Sequence, residues 1–158
     1  MPRNTTAPTA STLTLPSDTE IALVRSFAAP RDLVWKAFTD PKLVPKWYGP
    51  AEPPMTVCEM DVRPNGKFRW AWGTAFETAG IFHQVEKPRL LVMESREPDP
   101  TPEVRSHTFD ELGGGRTTVT IRIKTASKAI RDELLASGAV EGMEPTFGRL
   151  DAFLPSLR

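Results

Sequence analysis

The chain has 158 residues, with 20 lysines and arginines against 20 aspartates and glutamates, and so carries no net charge. That length is a prior for one domain, large enough to bury a core without a metal or disulfide staple. Charge balance removes the electrostatic footprint of a nucleic-acid binder and the basic patch that holds a protein to an anionic membrane.

No run approaches the eighteen apolar residues of a membrane span, and the N-terminus has one arginine and no apolar core, so neither a spanning helix nor a secretory signal is expected. The single cysteine, Cys58, excludes an internal disulfide and leaves no cluster for structural zinc. A cytoplasmic protein is expected, without metal or cofactor, as a monomer or homodimer. Sixteen prolines against ten glycines are the anomaly in the composition. About twice the average proline usage belongs either to a disordered segment or to a fold of many short elements.

In chain order, the first nineteen residues hold six threonines, three prolines and no aromatic residue. They are expected to form a disordered leader to a domain over 20–154. Residues 20–27 (EIALVRSF) read as a strand. Pro30 suits the first turn of a helix carrying Leu33, Val34, Ala37 and Phe38, which ends at Asp40-Pro41. A second short helix over 41–47 closes at Trp47-Tyr48-Gly49-Pro50.

Strands follow over 55–62, 67–73, 77–86, 89–96, 103–112 and 116–124, separated by Pro64-Asn65-Gly66, Lys87-Pro88, a proline-rich linker and Gly113-Gly114-Gly115. The cleanest alternation puts Phe68, Trp70 and Trp72 on one face against Lys67 and Arg69. The C-terminal segment opens at Ser127, a residue suited to an N-cap. Ile130, Leu134, Met143, Phe147, Leu150 and Leu154 then fall at helical spacing. Ser137-Gly138, Gly142 and Pro145 interrupt this helix, so a kink or break is expected at 138–142. The fold class is α+β: one curved antiparallel sheet of about seven strands covered by a long C-terminal helix.

The residues make the assignment more specific. Ala29-Pro30, Val34-Trp35, Ala37-Phe38-Thr39-Asp40-Pro41 and Trp47-Tyr48-Gly49-Pro50 resemble the opening signature of the AHSA-like branch of the START-like (SRPBCC) superfamily. That branch is related to the C-terminal domain of the activator of the heat-shock protein 90 ATPase. Cys58, Asp61, Arg63-Pro64-Asn65-Gly66, Gly80, Pro88-Arg89-Leu90, the triple glycine, Ser137-Gly138 and Leu150 stand where that branch places similar residues. The resemblance covers about residues 20–154 and implies a helix-grip fold with a cavity between sheet and helix. Relatives bind sterols, lipids, plant hormones or polyketides, and a few are cyclases or aromatases. The branch shares no catalytic residue that could be carried over.

Three functions follow from this reading, in order of preference. The first is binding of a small, largely apolar, aromatic ligand, with or without an acid group, in that cavity. The second is a cyclase- or hydrolase-type enzyme using the same cavity. The third is an interaction protein acting on the chaperone ATPase, ranked last because the eukaryotic activator carries a further N-terminal domain.

The aromatic face of Phe68, Trp70 and Trp72, joined by Phe76 and Phe82, offers apolar area and indole N–H groups to a flat ligand, and Met143 and Phe147 face it from the helix. Filling of the core is the plainer role for the same rings. Arg105 and His107 share a face with Phe109, and Glu94 on the neighbouring strand is their expected partner for orienting an acid or moving a proton. Periodicity cannot orient Glu94 in the run Leu90-Leu91-Val92-Met93. A one-residue slip puts Arg105 and His107 in solvent, which is the plainer reading. Cys58 reads as an inert buried thiol, and His83 lacks companions for a metal. The triple glycine is a hairpin turn, since no lysine and helix follow it. Trp47 and Tyr48 anchor the helical pair or gate the cavity mouth.

Overall fold

The computed structural model describes residues 11–98 and 103–158. Its eight strands are β1 (Thr12–Ser17), β2 (Glu20–Phe27), β3 (Val57–Met60), β4 (Lys67–Trp72), β5 (Phe76–Glu86), β6 (Leu90–Glu97), β7 (Glu103–Gly113) and β8 (Arg116–Lys124). They form one curved, open, antiparallel sheet in the order β1-β2-β8-β7-β6-β5-β4-β3. Helix α1 (Arg31–Thr39) and a 3-10 turn (Val44–Lys46) lie between β2 and β3. Helices α2 (Lys128–Ala136) and α3 (Met143–Phe153), then a second 3-10 turn (Leu154–Leu157), end the chain.

Strand alternation decides which side of the sheet is covered. On β4, Phe68, Trp70 and Trp72 are buried while Lys67 and Arg69 are exposed. On β8, Val119, Ile121 and Ile123 point the same way. α1 buries Val34, Trp35, Ala37 and Phe38. Its Trp35 and Phe38 rings each lie 5.2 Å from Phe109 of β7, in edge-to-face contact. α3 brings Phe147 to 5.9 Å from Phe27 and buries Leu150 completely. Each such side chain contributes about 1.5–3 kcal/mol by leaving water. α1, the 3-10 turns and α3 therefore share one continuous core with the inner face of the sheet.

The structure differs from the sequence reading in three places. Residues 12–17, read as leader, form β1, which pairs antiparallel with β2. The strand brings the sheet to eight rather than seven, while residues 1–10 lie outside the described residues. The second helix expected over 41–47 shrinks to the 3-10 turn, because Pro45 disfavours helix at Val44 and Gly49-Pro50 stops any extension.

The single long C-terminal helix is two helices. Ser127 caps α2 as expected, its Oγ accepting from the Ile130 N–H at 3.1 Å. The break falls where it was expected: Gly138, at φ +81°, takes the left-handed conformation that ends helices, and α3 restarts after Gly142. Pro145 is thus not internal to a helix. It lies in the first turn of α3, where no intrahelical partner exists for an N–H, and the cost of an interior proline does not arise.

Candidate functional site

Two chambers lie between the inner face of the sheet and the helices. The inner one, about 50 Å³, is walled by Phe38, Trp47 and Tyr48 on the helical side, Phe68, Trp70 and Thr78 on β4 and β5, and Leu91, Met93, Ser95, Arg105 and His107 on β6 and β7. The outer one, about 380 Å³, opens above the break between α2 and α3. Trp72 and Phe76 form one wall of it, Ala139, Gly142, Met143 and Phe147 the other, and Gly49-Pro50 its rim. Tyr48 and Arg105 belong to both, so they form the partition. The inner chamber has room for a water or two. The outer one sits at the lower end of the roughly 300–1,000 Å³ of small-molecule sites.

Each wall follows from local sequence. The Trp47-Tyr48-Gly49-Pro50 segment lays Tyr48 against Trp70, ring centres 4.8 Å apart, while Trp47 is pinned by its indole N–H donating to the Ala37 carbonyl at 3.0 Å. Gly49 comes so close to Trp72 that a Cβ there would stand 2.5 Å from the indole. The Gly49 carbonyl in turn accepts from Thr146 Oγ1 at 3.2 Å and from the Arg149 guanidinium, which ties the segment to α3. The indole N–H of Trp72 is buried without a protein partner, whereas that of Trp70 has the Cys58 sulfur as its weak neighbour across the β3–β4 pair. Buried donors are nearly always paired, so the Trp72 N–H is a place for a ligand acceptor or a bridging water.

β7 sets the polar part of the site. Arg105, His107 and Phe109 do face inward, each opposite β8 residues Ile123, Ile121 and Val119, so the solvent-facing reading of the first two is corrected. His107 is buried, with Nδ1–H donating to the Leu91 carbonyl at 3.3 Å, and its ring lies edge-on to Phe38. Burial, and to a smaller extent the Arg105 charge, holds it down to about 4, so at neutral pH Nε2 is an acceptor. Arg105 donates from Nε to Glu103 at 2.5 Å, and its side chain keeps 25% of its surface exposed. Burial works against its charge, yet Glu103 and Tyr48 outweigh it and raise its proton affinity.

Glu94 does not join them. β6 turns Leu91, Met93 and Ser95 to the chamber, so Glu94 faces the outer side of the sheet, where it meets His83 at 2.5 Å and Arg96 at 3.2 Å. Hydrogen bonds from those two partners, Arg96 first, hold its carboxyl below the usual range. Beside it, β5 carries a bulge between Phe82 and Gln84. His83 is the extra residue, and it swings outward while Phe82 and Val85 both stay over the core.

Phe82 also departs from expectation. It is wholly buried, 5.6 Å from Phe68, and supports the inner chamber from behind rather than lining it. Phe68 and Trp70 line the inner chamber, and Trp72, Met143 and Phe147 the outer. The sequence reading missed Phe38, Val44, Thr78, Leu91, Met93 and Ser95 as lining residues, and weighted Tyr48 toward anchoring. Of these only Thr78 lies directly opposite the aromatic strand, across from Trp70. Cys58 is partly buried beside Trp70 on β3, and burial pushes its thiol up to about 11. With so little thiolate, it should react with Ellman's reagent on the order of a hundredfold more slowly in the folded chain than after unfolding. Equal rates at pH 8 would contradict that burial.

A curved antiparallel sheet closed by C-terminal helices, with a chamber between them, is the helix-grip architecture of START-like proteins. The chain belongs to the family described as Activator of Hsp90 ATPase homolog 1-like protein, whose family model matches residues 28–155. Hydrophobic ligands are commonly bound in this family. Among solved structures, a protein from Rhodobacter sphaeroides is 26% identical with a TM-score of 0.84, covering 94% of this chain and 99% of its own. Protein Ms6760 from Mycobacterium smegmatis is 25% identical with a TM-score of 0.78, over the same 94% and 99%. Protein NE0264 from Nitrosomonas europaea is similar in fold, at 24% identity and a TM-score of 0.81 over 90% and 97%. No curated protein matches the chain. Among the described residues no helix is long and apolar enough to cross a membrane.

Proposed function

We propose that this protein binds a small, largely apolar, aromatic molecule, held between Trp72 and Phe76 of the sheet and Met143 and Phe147 of α3. The outer chamber carries the reading: its walls are rings and a thioether, and the gap in the helices gives it a mouth. Aromatic walls favour flat ligands through offset and edge-on contacts, worth about 0.5–1.5 kcal/mol per pair beyond burial. Phe76, 56% exposed and 5.4 Å from Trp72, stands at the entrance as a cover for a bound ring. In this reading residues 12–154 are the binding domain of a cytoplasmic monomer or homodimer, with neither nucleic acid nor membrane as partner.

The test is saturable binding of the neutral fluorophore N-phenyl-1-naphthylamine, with native mass spectrometry of freshly purified protein alongside. A probe at a hundred times its Kd stabilises the fold by about 2.7 kcal/mol, a rise of roughly 5–10 °C in Tm. Ala139→Trp, at an exposed wall position, should leave the melting temperature unchanged and weaken the probe at least tenfold. If probe binding is undiminished in that variant, the ligand lies elsewhere.

A further inference from the structure

Arg105 is the most unusual member of the chamber. It is a cation on the inner face of the sheet, in the partition between two apolar spaces, where aliphatic side chains would pack as well. An arginine placed there must be matched by negative charge, because a partly desolvated cation without a partner costs several kcal/mol. Glu103, on the same strand, supplies one carboxylate and takes the Nε edge of the guanidinium. That leaves the end of the fork: among the described residues neither Nη1 nor Nη2 has a protein partner.

The surroundings say what fits that end. Tyr48 and His107 are polar neighbours close enough to feel its charge, and no carboxylate other than Glu103 pairs with the guanidinium among the described residues. On the outer side the guanidinium faces a space lined by Trp72, Met143 and Phe147. An inorganic anion would leave those walls unfilled. A planar apolar body ending in an anion fills both.

Resting on the binding reading above, we infer that the ligand is an aromatic carboxylic acid, its carboxylate on the two terminal nitrogens of Arg105 and its ring in the outer chamber against Trp72 and Phe147. The end-on fork gives two parallel charge-assisted hydrogen bonds, roughly twice as strong as neutral ones and geometrically selective for a carboxylate. Glu103 keeps the Nε edge, so the anchor is held in place before the ligand arrives. Tyr48, on the rim of both chambers, closes over the carboxylate end. The acid enters through the gap between α2 and α3, with the ring following the head.

Isothermal titration of the full chain with 2-naphthoate and with its neutral isostere 2-naphthamide tests this. The wild type should bind the acid at least tenfold more tightly than the amide. Arg105→Gln should weaken the acid at least tenfold and change the amide by less than twofold. Arg105→Lys, which keeps the charge and loses the fork, should fall between. Equal affinity of acid and amide for the wild type overturns the anchor while leaving the binding reading intact, and needs no variant to fold. An acid preference that survives Arg105→Gln does the same. Failure of both compounds to bind at millimolar concentration overturns the anchor and the binding reading together.

Discussion

Replacing Gly49 by alanine should lower the melting temperature by roughly 4–20 °C. Two costs add. Gly49 has φ +81°, and the left-handed conformation costs a residue with a Cβ about 1–2 kcal/mol. The new methyl would also stand 2.5 Å from Trp72 Cζ2 and 2.7 Å from its Nε1, inside any tolerable contact. Overpacking of this kind costs about 1–3 kcal/mol. A total of about 2–5 kcal/mol converts at 2–4 °C per kcal/mol for a chain of this size.

The effect should not be confined to stability. The Gly49 carbonyl is the acceptor for Thr146 and Arg149, so displacing it loosens α3 from the rim of the outer chamber. Probe binding should weaken in the same variant. Gly148→Ala is the control: this exposed glycine lies in α3 with open space at its Cβ, and alanine there should add up to about 1 kcal/mol. If Gly49→Ala melts within two degrees of wild type, the close approach to Trp72 is not a constraint on the fold.

Much of this site could be read from the chain, and the unread parts share a physical reason. The face of Phe68, Trp70 and Trp72 was legible because a strand buried on one side only keeps strict alternation. The break before α3 was legible because Gly138 is a residue that ends helices, and Ser127 because its side chain starts one. Periodicity fails where both sides of a strand look alike. In β6, Leu90 to Met93 are all apolar, so Glu94 could not be oriented without its partners. The bulge after Phe82 shifts the phase of β5 itself by one residue, with no glycine or proline at that point to mark it.

β1 is the opposite case. Leu13 and Leu15 are 44% and 47% exposed, so this strand buries no apolar face and owes its place to backbone pairing along the edge of β2. Composition measures what can be buried, and an edge strand of this kind is invisible to it. Pro145 was read correctly as incompatible with a helix interior, but the chain had already stopped its helix seven residues earlier, at Gly138. The proline that looked like a defect in the grip is a residue suited to opening α3. The gap it follows is the mouth of the outer chamber.

Stability should fall as pH drops from about 6.5 toward 4, and His107 should account for about 2.5 kcal/mol of the loss by pH 4.5. In the unfolded chain its imidazole titrates near 6.5, whereas in the folded chain burial, partly opposed by the Leu91 hydrogen bond and added to by the Arg105 charge, holds it down to about 4. Above pH 6.5 neither state takes the proton and the term is absent. Between 6.5 and 4 the unfolded state binds the proton and the folded state does not, so acid favours unfolding; below 4 both are protonated and the loss levels off at about 3 kcal/mol. Glu20 and Glu94, whose folded values are lowered, also lose stabilisation as pH falls, so a single curve cannot isolate the histidine. The difference between wild type and His107→Phe can, because the carboxylates are common to both. Phenylalanine preserves the contact with Phe38 and has nothing to protonate. Urea denaturation at pH 7.5 and 4.5 should show the variant gaining about 2.5 kcal/mol on wild type across that interval. Parallel curves would mean that the imidazole reaches solvent and takes its proton without unfolding, in which case Nε2 is a donor rather than an acceptor within the chamber at acid pH.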